Sequence, residues 1–74
     1  MYEQFVNLLV DELQIDRADI TMEAELSNDL GINSIELFDL VMLCEDNFGI
    51  EIEEDKVRQF TTVGDVVNYL ESLN

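Results

Sequence analysis

Three residues near the middle of the chain, Asn33, Ser34 and Glu36, have the types and spacing to prepare a site for a phosphate. Asn is favoured as the residue that caps a helix, and Glu three positions later completes a capping box. Ser34 is then the first helical residue, and capping leaves its hydroxyl unused. A hydroxyl in that position faces outward, where backbone N–H groups and the positive end of the helix dipole favour a phosphate.

A second interpretation gives the same residues a purely structural role. Ser34 itself would cap the helix and Asn33 would be an ordinary turn residue, because serine and asparagine are about equally common as caps. Catalysis is not expected in either case, since the chain has no histidine to act as a general base. Cys44 also lacks an imidazole partner, and we expect it to be a small buried hydrophobe. No catalytic residue is therefore predicted.

The acidic residues do not have the spacing of a calcium site. An EF-hand needs acids at loop positions 1, 3 and 5 before its glycine, and neither Gly31 nor Gly49 is preceded by such a set. The single cysteine excludes an internal disulfide and a cysteine-based zinc site, and it fits a reducing, intracellular compartment. No Gly-rich phosphate loop or dinucleotide fingerprint occurs. We expect no metal site and interpret the chain as a binding or carrying module.

The net charge limits the class of partner. The 74 residues include 18 acidic and 3 basic ones, which gives −15 at pH 7. A charge of that size repels nucleic acid and anionic membranes, so the expected partners are proteins with basic surfaces. No apolar run approaches transmembrane length, and the N-terminus lacks the basic region of a signal peptide. We expect a monomeric, cytoplasmic protein with no membrane insertion.

Helices are expected to position Ser34. The chain is long enough for one small domain, residues 1–74, and 47% of it is hydrophobic. Apolar residues recur at helical spacing in three segments, which predicts helices at residues 2–13, at 34–48 and from 62 onward. A brief further helix is expected at residues 53–60. A long connection over residues 14–32 carries apolar residues at intervals, with a short helical turn near 16–20. The predicted fold is all-α, a small four-helix bundle with three principal helices, one short helix and a long first loop.

Residues with known end preferences mark the helix boundaries. Gly31 should supply a backbone bend before Asn33, and Gly49 is suited to end the second helix. Thr62 and Asp65 have the spacing of a second capping box, which would start the last helix. One side of the second helix should face solvent although it mixes apolar and acidic residues, namely Ile35, Asp39, Met42 and Asp46.

The stretch from Asp29 to Leu37, Asp-Leu-Gly-Ile-Asn-Ser-Ile-Glu-Leu, resembles the prosthetic-group attachment site of acyl carrier proteins. The family pattern is Asp-Leu-Gly, a variable residue, then Asp-Ser-Leu and an acid-rich helix. Residues 45–48 and 61–67 also resemble family segments, so the likeness spans nearly the whole chain. The resemblance implies a four-helix bundle with 4′-phosphopantetheine attached to Ser34 through a phosphodiester. A phosphopantetheinyl transferase would install this arm, whose thiol carries acyl groups as thioesters.

The resemblance also implies roles for residues of the second helix. Basic patches on fatty acid synthase or related acyl-processing enzymes would recognise partner-binding residues at Asp29, Asn33, Ile35, Glu36, Asp39, Met42, Glu45 and Asp46. The cavity that shelters a short acyl chain would be lined by Phe38, Leu40 and Val41.

Two positions depart from the family pattern. Asn33 replaces Asp, which keeps the cap but removes a charge beside the serine, and Ile35 replaces Leu. The expected function is to carry growing acyl chains in type II fatty acid biosynthesis. A pathway-specific carrier for polyketide, nonribosomal peptide or lipid-tailoring synthesis is an alternative. An alternative of another class is an acidic helical adaptor with no prosthetic group.

Overall fold

Three long α-helices and one short α-helix make up the chain in the computed structural model, which describes residues 1–73. In chain order the elements are α1, Tyr2–Leu13, a 3-10 helix, Arg17–Asp19, then α2, Ser34–Phe48, α3, Glu54–Val57, and α4, Val63–Ser72. No strand occurs within residues 1–73, where the extended backbone forms only one isolated bridge, between Glu25 and Thr62. The predicted all-α four-helix bundle with a long first loop is confirmed.

Apolar side chains from α1, α2 and α4 form the core. Phe5, Leu9, Leu40 and Leu70 are among the largest fully buried side chains. Burial of each contributes roughly 1.5–3 kcal/mol of transfer free energy. Within residues 1–73 no polar or charged side chain is buried. A strongly acidic chain therefore folds here without the cost of an unpaired buried charge.

The long connection between α1 and α2 is attached to the segment that leads into α4. Three backbone hydrogen bonds of 2.8–3.0 Å join the two segments, pairing Met22 with Gly64, Ala24 with Val63, and Leu26 with Thr61. A Cβ atom at Gly64 would lie 2.9 Å from the carbonyl oxygen of Met22, so this close approach requires glycine. The apolar residues that the connection carries at intervals include Ile20, Leu26 and Ile32, which are buried, so the connection lies on the domain.

The third helix is shorter than predicted. The sequence favours a helix over residues 53–60, but α3 covers only Glu54–Val57. The amide of Phe60 donates to the carbonyl of Val57, three residues back, at 3.2 Å, so the chain leaves the α-helix through tighter turns. The ring of Phe60 then lies 5.5 Å from that of Tyr69 on α4. Phe60 thus lies outside α3 and packs against α4.

Most predicted helix boundaries are confirmed. Gly49 ends α2 with a left-handed φ of 65°, and Gly31 bends the chain before α2 with a φ of 68°. Thr62 and Asp65 form a capping box at the start of α4. Leu73, although apolar, lies beyond the end of α4 and is 41% exposed. No helix within residues 1–73 has both the length and the apolar character needed to cross a membrane.

Candidate functional site

The first turn of α2 is organised by Asn33 and Glu36. Asn33 Oδ1 accepts a hydrogen bond from the Glu36 amide at 2.8 Å, and Glu36 Oε1 accepts one from the Asn33 amide at 3.2 Å. Asn33 is therefore the cap and Ser34 the first helical residue. This confirms the register in which capping leaves the Ser34 hydroxyl unused. Ser34 is exposed, and its hydroxyl makes no hydrogen bond within residues 1–73.

Two backbone amides next to the Ser34 hydroxyl are also unpaired. A helix start leaves four N–H groups without intrahelical partners. The capping box uses the amides of Asn33 and Glu36. Those of Ser34 and Ile35 have no partner in the part of the chain that the structure describes. Unpaired amides at the positive end of a helix dipole suit phosphate oxygens, so the residues present fit a phosphate ester on Ser34.

The loop before Ser34 is held by its own hydrogen bonds. Asp29 Oδ2 accepts from the Glu25 amide at 2.7 Å, and the Ile32 amide donates to the Leu26 carbonyl at 2.9 Å. Ile32 is buried in the core. The serine is thus presented by an anchored segment, in which the carboxylate of Asp29 has a structural task besides its predicted role in partner binding.

A cleft of about 500 Å³ opens beside Ser34. Side chains from the first loop, α2 and the region of α3 give it a mainly apolar lining, including Leu26, Ile32, Leu37, Phe38, Val57 and Phe60. Of the three residues predicted to line an acyl cavity, Phe38 lies on this cleft. Leu40 and Val41 are buried in the core and do not line it. An apolar cleft next to the serine has the character needed to shelter a hydrocarbon chain.

The exposed side of α2 carries both apolar and acidic residues. Ile35 is 76% exposed and Met42 is 60% exposed, and their spacing of seven residues places them on the same side of α2. Asp39 and Asp46 are also exposed, and their carboxylates accept no hydrogen bond from any residue in 1–73. We call these four residues, Ile35, Asp39, Met42 and Asp46, the docking face.

Two other predicted partner-binding acids are engaged by the fold. Glu45 Oε2 accepts a hydrogen bond from the Ile52 amide at 2.8 Å, which ties the end of α2 to the segment before α3. Glu36 is half-buried and completes the cap of α2. Both carboxylates are less available to a partner than those of Asp39 and Asp46.

Cys44 lies in the core, with 1% of its surface exposed. Burial, together with the charge of neighbouring Glu45, raises the pKa of the Cys44 thiol to about 12. At neutral pH this residue is therefore a thiol and a poor nucleophile. Within residues 1–73 no group of three or more His, Cys, Asp or Glu side chains is arranged to hold a metal ion.

The charged residue of the cleft, Arg58, was not predicted from the sequence, and it lines the cleft together with Ser34. Val57 and Phe60, from the segment predicted as the brief third helix, line the same cleft. The rarity of basic residues in this chain is the one signal that singles out Arg58 in the sequence.

Comparisons with known proteins agree with this geometry. The sequence model of a family described as "Phosphopantetheine attachment site" matches residues 3–70. A protein named acyl carrier protein from Helicobacter acinonychis (strain Sheeba) is 38% identical over 71 residues, which are 96% of this chain and 91% of that protein. Proteins of the same name from Helicobacter pylori, strains G27 and HPAG1, are each 37% identical over 71 residues with the same coverage.

Proposed function

This chain belongs to the acyl carrier protein family, whose cofactor is 4′-phosphopantetheine, and on that basis we propose that it carries growing acyl chains in type II fatty acid biosynthesis. The proposed attachment point is Ser34, modified by a phosphopantetheinyl transferase. When bound, the arm supplies a terminal thiol that holds acyl groups as thioesters. The chain itself would present Ser34, shelter the acyl group in the adjacent cleft and offer a docking face to enzymes.

One observation supports Ser34 as the attachment point. Its hydroxyl is exposed and unbonded within residues 1–73, because Asn33 and Glu36 complete the cap. The unpaired amides of Ser34 and Ile35 add donors for a phosphate. A serine whose hydroxyl capped the helix would not be available in this way.

The attachment is tested by intact mass after co-expression with a transferase of broad specificity. Wild type should gain one phosphopantetheine group, and Ser34→Ala should gain none. Ser27→Ala is the matched control, since Ser27 is an exposed serine on the same cleft and its loss should not reduce the gain. No gain on wild type, or an undiminished gain in Ser34→Ala, would refute the proposal. The second of these results favours the acidic adaptor without a prosthetic group.

We further propose that partner enzymes bind the docking face of α2 through basic patches. Exposed acids steer a basic partner to the surface, and Ile35 and Met42 supply apolar contact. Asp39 and Asp46 would interact by charge because their carboxylates are free of hydrogen bonds within residues 1–73. The remaining implied contacts, Asp29, Asn33, Glu36 and Glu45, would act mainly by holding the loop and helix ends in place.

Charge-reversal variants distinguish an effect of the docking face from an effect of the net charge. Asp39→Lys should lower kcat/KM of the phosphopantetheinyl transferase by about tenfold, chiefly through slower association. Glu12→Lys changes the net charge equally at an exposed position near the end of α1, and its effect should be small. Equal losses in the two variants would show that the transferase responds only to the total charge.

A pathway-specific carrier is the second candidate, and Asn33 is the observation that favours it. Asn at this position keeps the cap but removes a charge next to Ser34. Growth of a strain that lacks its fatty acid carrier, rescued by this chain, would support the fatty acid role. Failure of wild type with rescue by Asn33→Asp would favour a carrier that fatty acid enzymes do not recognise.

We propose a cytoplasmic location, because a free thiol such as that of Cys44 persists in a reducing compartment.

A further inference from the structure

The cleft beside Ser34 contains one basic side chain, that of Arg58, among apolar and uncharged residues. The other two basic side chains of the sequence lie elsewhere. Arg17 is 3.5 Å from Glu3 of α1, and Lys56 lines a separate, shallow depression near α4. In a chain with a net charge of −15, this cation therefore lines the same cleft as the proposed attachment serine.

Arg58 has a partner that it can leave easily. Its Nη2 lies 2.9 Å from Oε1 of Glu54, one helical turn earlier, and the two side chains are 70% and 65% exposed. Exposed ion pairs of this type contribute little to stability. The planar guanidinium matches phosphate oxygens with two parallel N–H groups, so a phosphodiester can take the place of Glu54 as the partner of Arg58.

We propose that Arg58 binds the phosphodiester of the prosthetic arm attached at Ser34 and thereby acts as a positioning residue at the mouth of the cleft. The inference rests on the proposed function, because a phosphodiester reaches this place only through Ser34. Two kinds of donor would serve its oxygens, the guanidinium of Arg58 and the unpaired amides of Ser34 and Ile35. No covalent bond is formed or broken in this step. Arg58 exchanges its ion pair with Glu54 for one with the phosphodiester.

The local charges favour this exchange. The phosphodiester adds a negative charge in the neighbourhood of Asp29, Glu36 and Asp39, none of which has a basic partner within residues 1–73. At about 0.1 M salt, charges closer than about 10 Å still interact appreciably. Arg58 is the cation on the cleft that can offset the added charge.

Thermal stability with and without the arm tests the inference. Wild type, Arg58→Gln, Lys56→Gln and Glu54→Gln are each prepared unmodified and with the arm attached enzymatically, in about 0.1 M salt. Arg58→Gln should lower Tm by about 2–6 °C more in the modified protein than in the unmodified one. Lys56→Gln removes the same charge away from the cleft and should act equally on both forms. Glu54→Gln removes the competing carboxylate and should raise Tm of the modified form relative to the unmodified form.

Phosphorus NMR supplies a readout that a purely structural role would not change. The resonance of the phosphodiester should shift in Arg58→Gln and stay in place in Lys56→Gln. An unchanged resonance, or a loss of Tm in Arg58→Gln that is equal with and without the arm, would overturn the inference. Attachment of the arm at Ser34 is measured first by mass. A normal mass gain without coupling to Arg58 refutes this inference alone, whereas no mass gain refutes the proposed function and the inference together.

Discussion

The hydroxyl of Ser34 is free because Asn33 and Glu36 form the cap of α2 without it. Asn33 and Glu36 exchange hydrogen bonds across the serine, at 2.8 and 3.2 Å. Asparagine has the side-chain oxygen that this cap needs, so the change from the family's Asp costs the structure little. What is lost is one negative charge next to the serine, and we expect this loss to affect recognition by the proposed transferase.

The second residue with possible reactivity, Cys44, should be inert in the folded protein. Its pKa of about 12 leaves a thiolate fraction at pH 8 that is roughly a thousandfold lower than for a free cysteine of pKa about 8.5. We predict that iodoacetamide labels Cys44 of the unmodified protein at least about a hundredfold more slowly in buffer than in denaturing urea. The measurement is the rate of mass gain in the two solvents.

The protein bearing the arm is the internal control for this labelling. Its arm thiol should react in buffer, so one label should appear without urea and a second only on unfolding. Rapid labelling of the unmodified protein in buffer would contradict both the burial of Cys44 and its raised pKa.

Sequence signals between neighbouring residues predicted the helix boundaries that local hydrogen bonds determine. Both capping boxes and the end of α2 at Gly49 follow from residues three to four positions apart, and all were predicted correctly. The early end of α3 was not predicted, and Phe60, which follows it, contacts Tyr69 nine residues later. The cleft depends on the backbone hydrogen bond between Leu26 and Thr61, which cannot be predicted from the periodicity of apolar residues. Arg58 was missed for the same reason, since only tertiary packing brings it to Ser34.

The capping box of α4 predicts a dependence of stability on pH. Backbone hydrogen bonds from Thr62 and Thr61 hold the pKa of Asp65 below its usual value. A carboxyl group with a lowered folded pKa stabilises the fold above its unfolded pKa of about 3.9, and this contribution disappears as pH falls through the folded value. Asp65→Asn should therefore reduce the free energy of unfolding at pH 7 by about 0.5–1 kcal/mol, after allowance for exposure of the group.

Asp11→Asn is the control for this prediction, because it removes the same charge at an exposed position without a side-chain hydrogen bond within residues 1–73. Urea unfolding of both variants at pH 7 and at about pH 3 gives the difference in free energy. The variants should differ at pH 7 and converge at low pH. A difference that is the same at both pH values would show that ionisation of Asp65 does not contribute.

The negative charge of the protein has two expected effects, one on partner recognition and one on the stability of the fold. The net charge of −15 is confined to 27 × 21 × 19 Å, so acidic groups lie within a few Debye lengths of one another. Within residues 1–73 only three ion pairs offset it, those of Arg17 with Glu3, Arg58 with Glu54, and the N-terminus with Glu71. Under the proposed function the unpaired carboxylates would attract basic enzymes, and they oppose folding by mutual repulsion.

Screening of this repulsion should stabilise the fold. We predict that Tm rises by about 5 °C or more between about 10 mM and 200 mM NaCl, and that a few millimolar MgCl₂ has a similar effect. Since no cluster of metal ligands is formed by residues 1–73, Mg²⁺ and Ca²⁺ should act equally at equal concentration. The variant with Glu23→Gln, Glu51→Gln and Asp55→Asn should melt higher at low salt and gain less on screening. A Tm that stays flat or falls with salt would contradict the repulsion, and a response to Ca²⁺ much larger than to Mg²⁺ would show selective binding instead of screening.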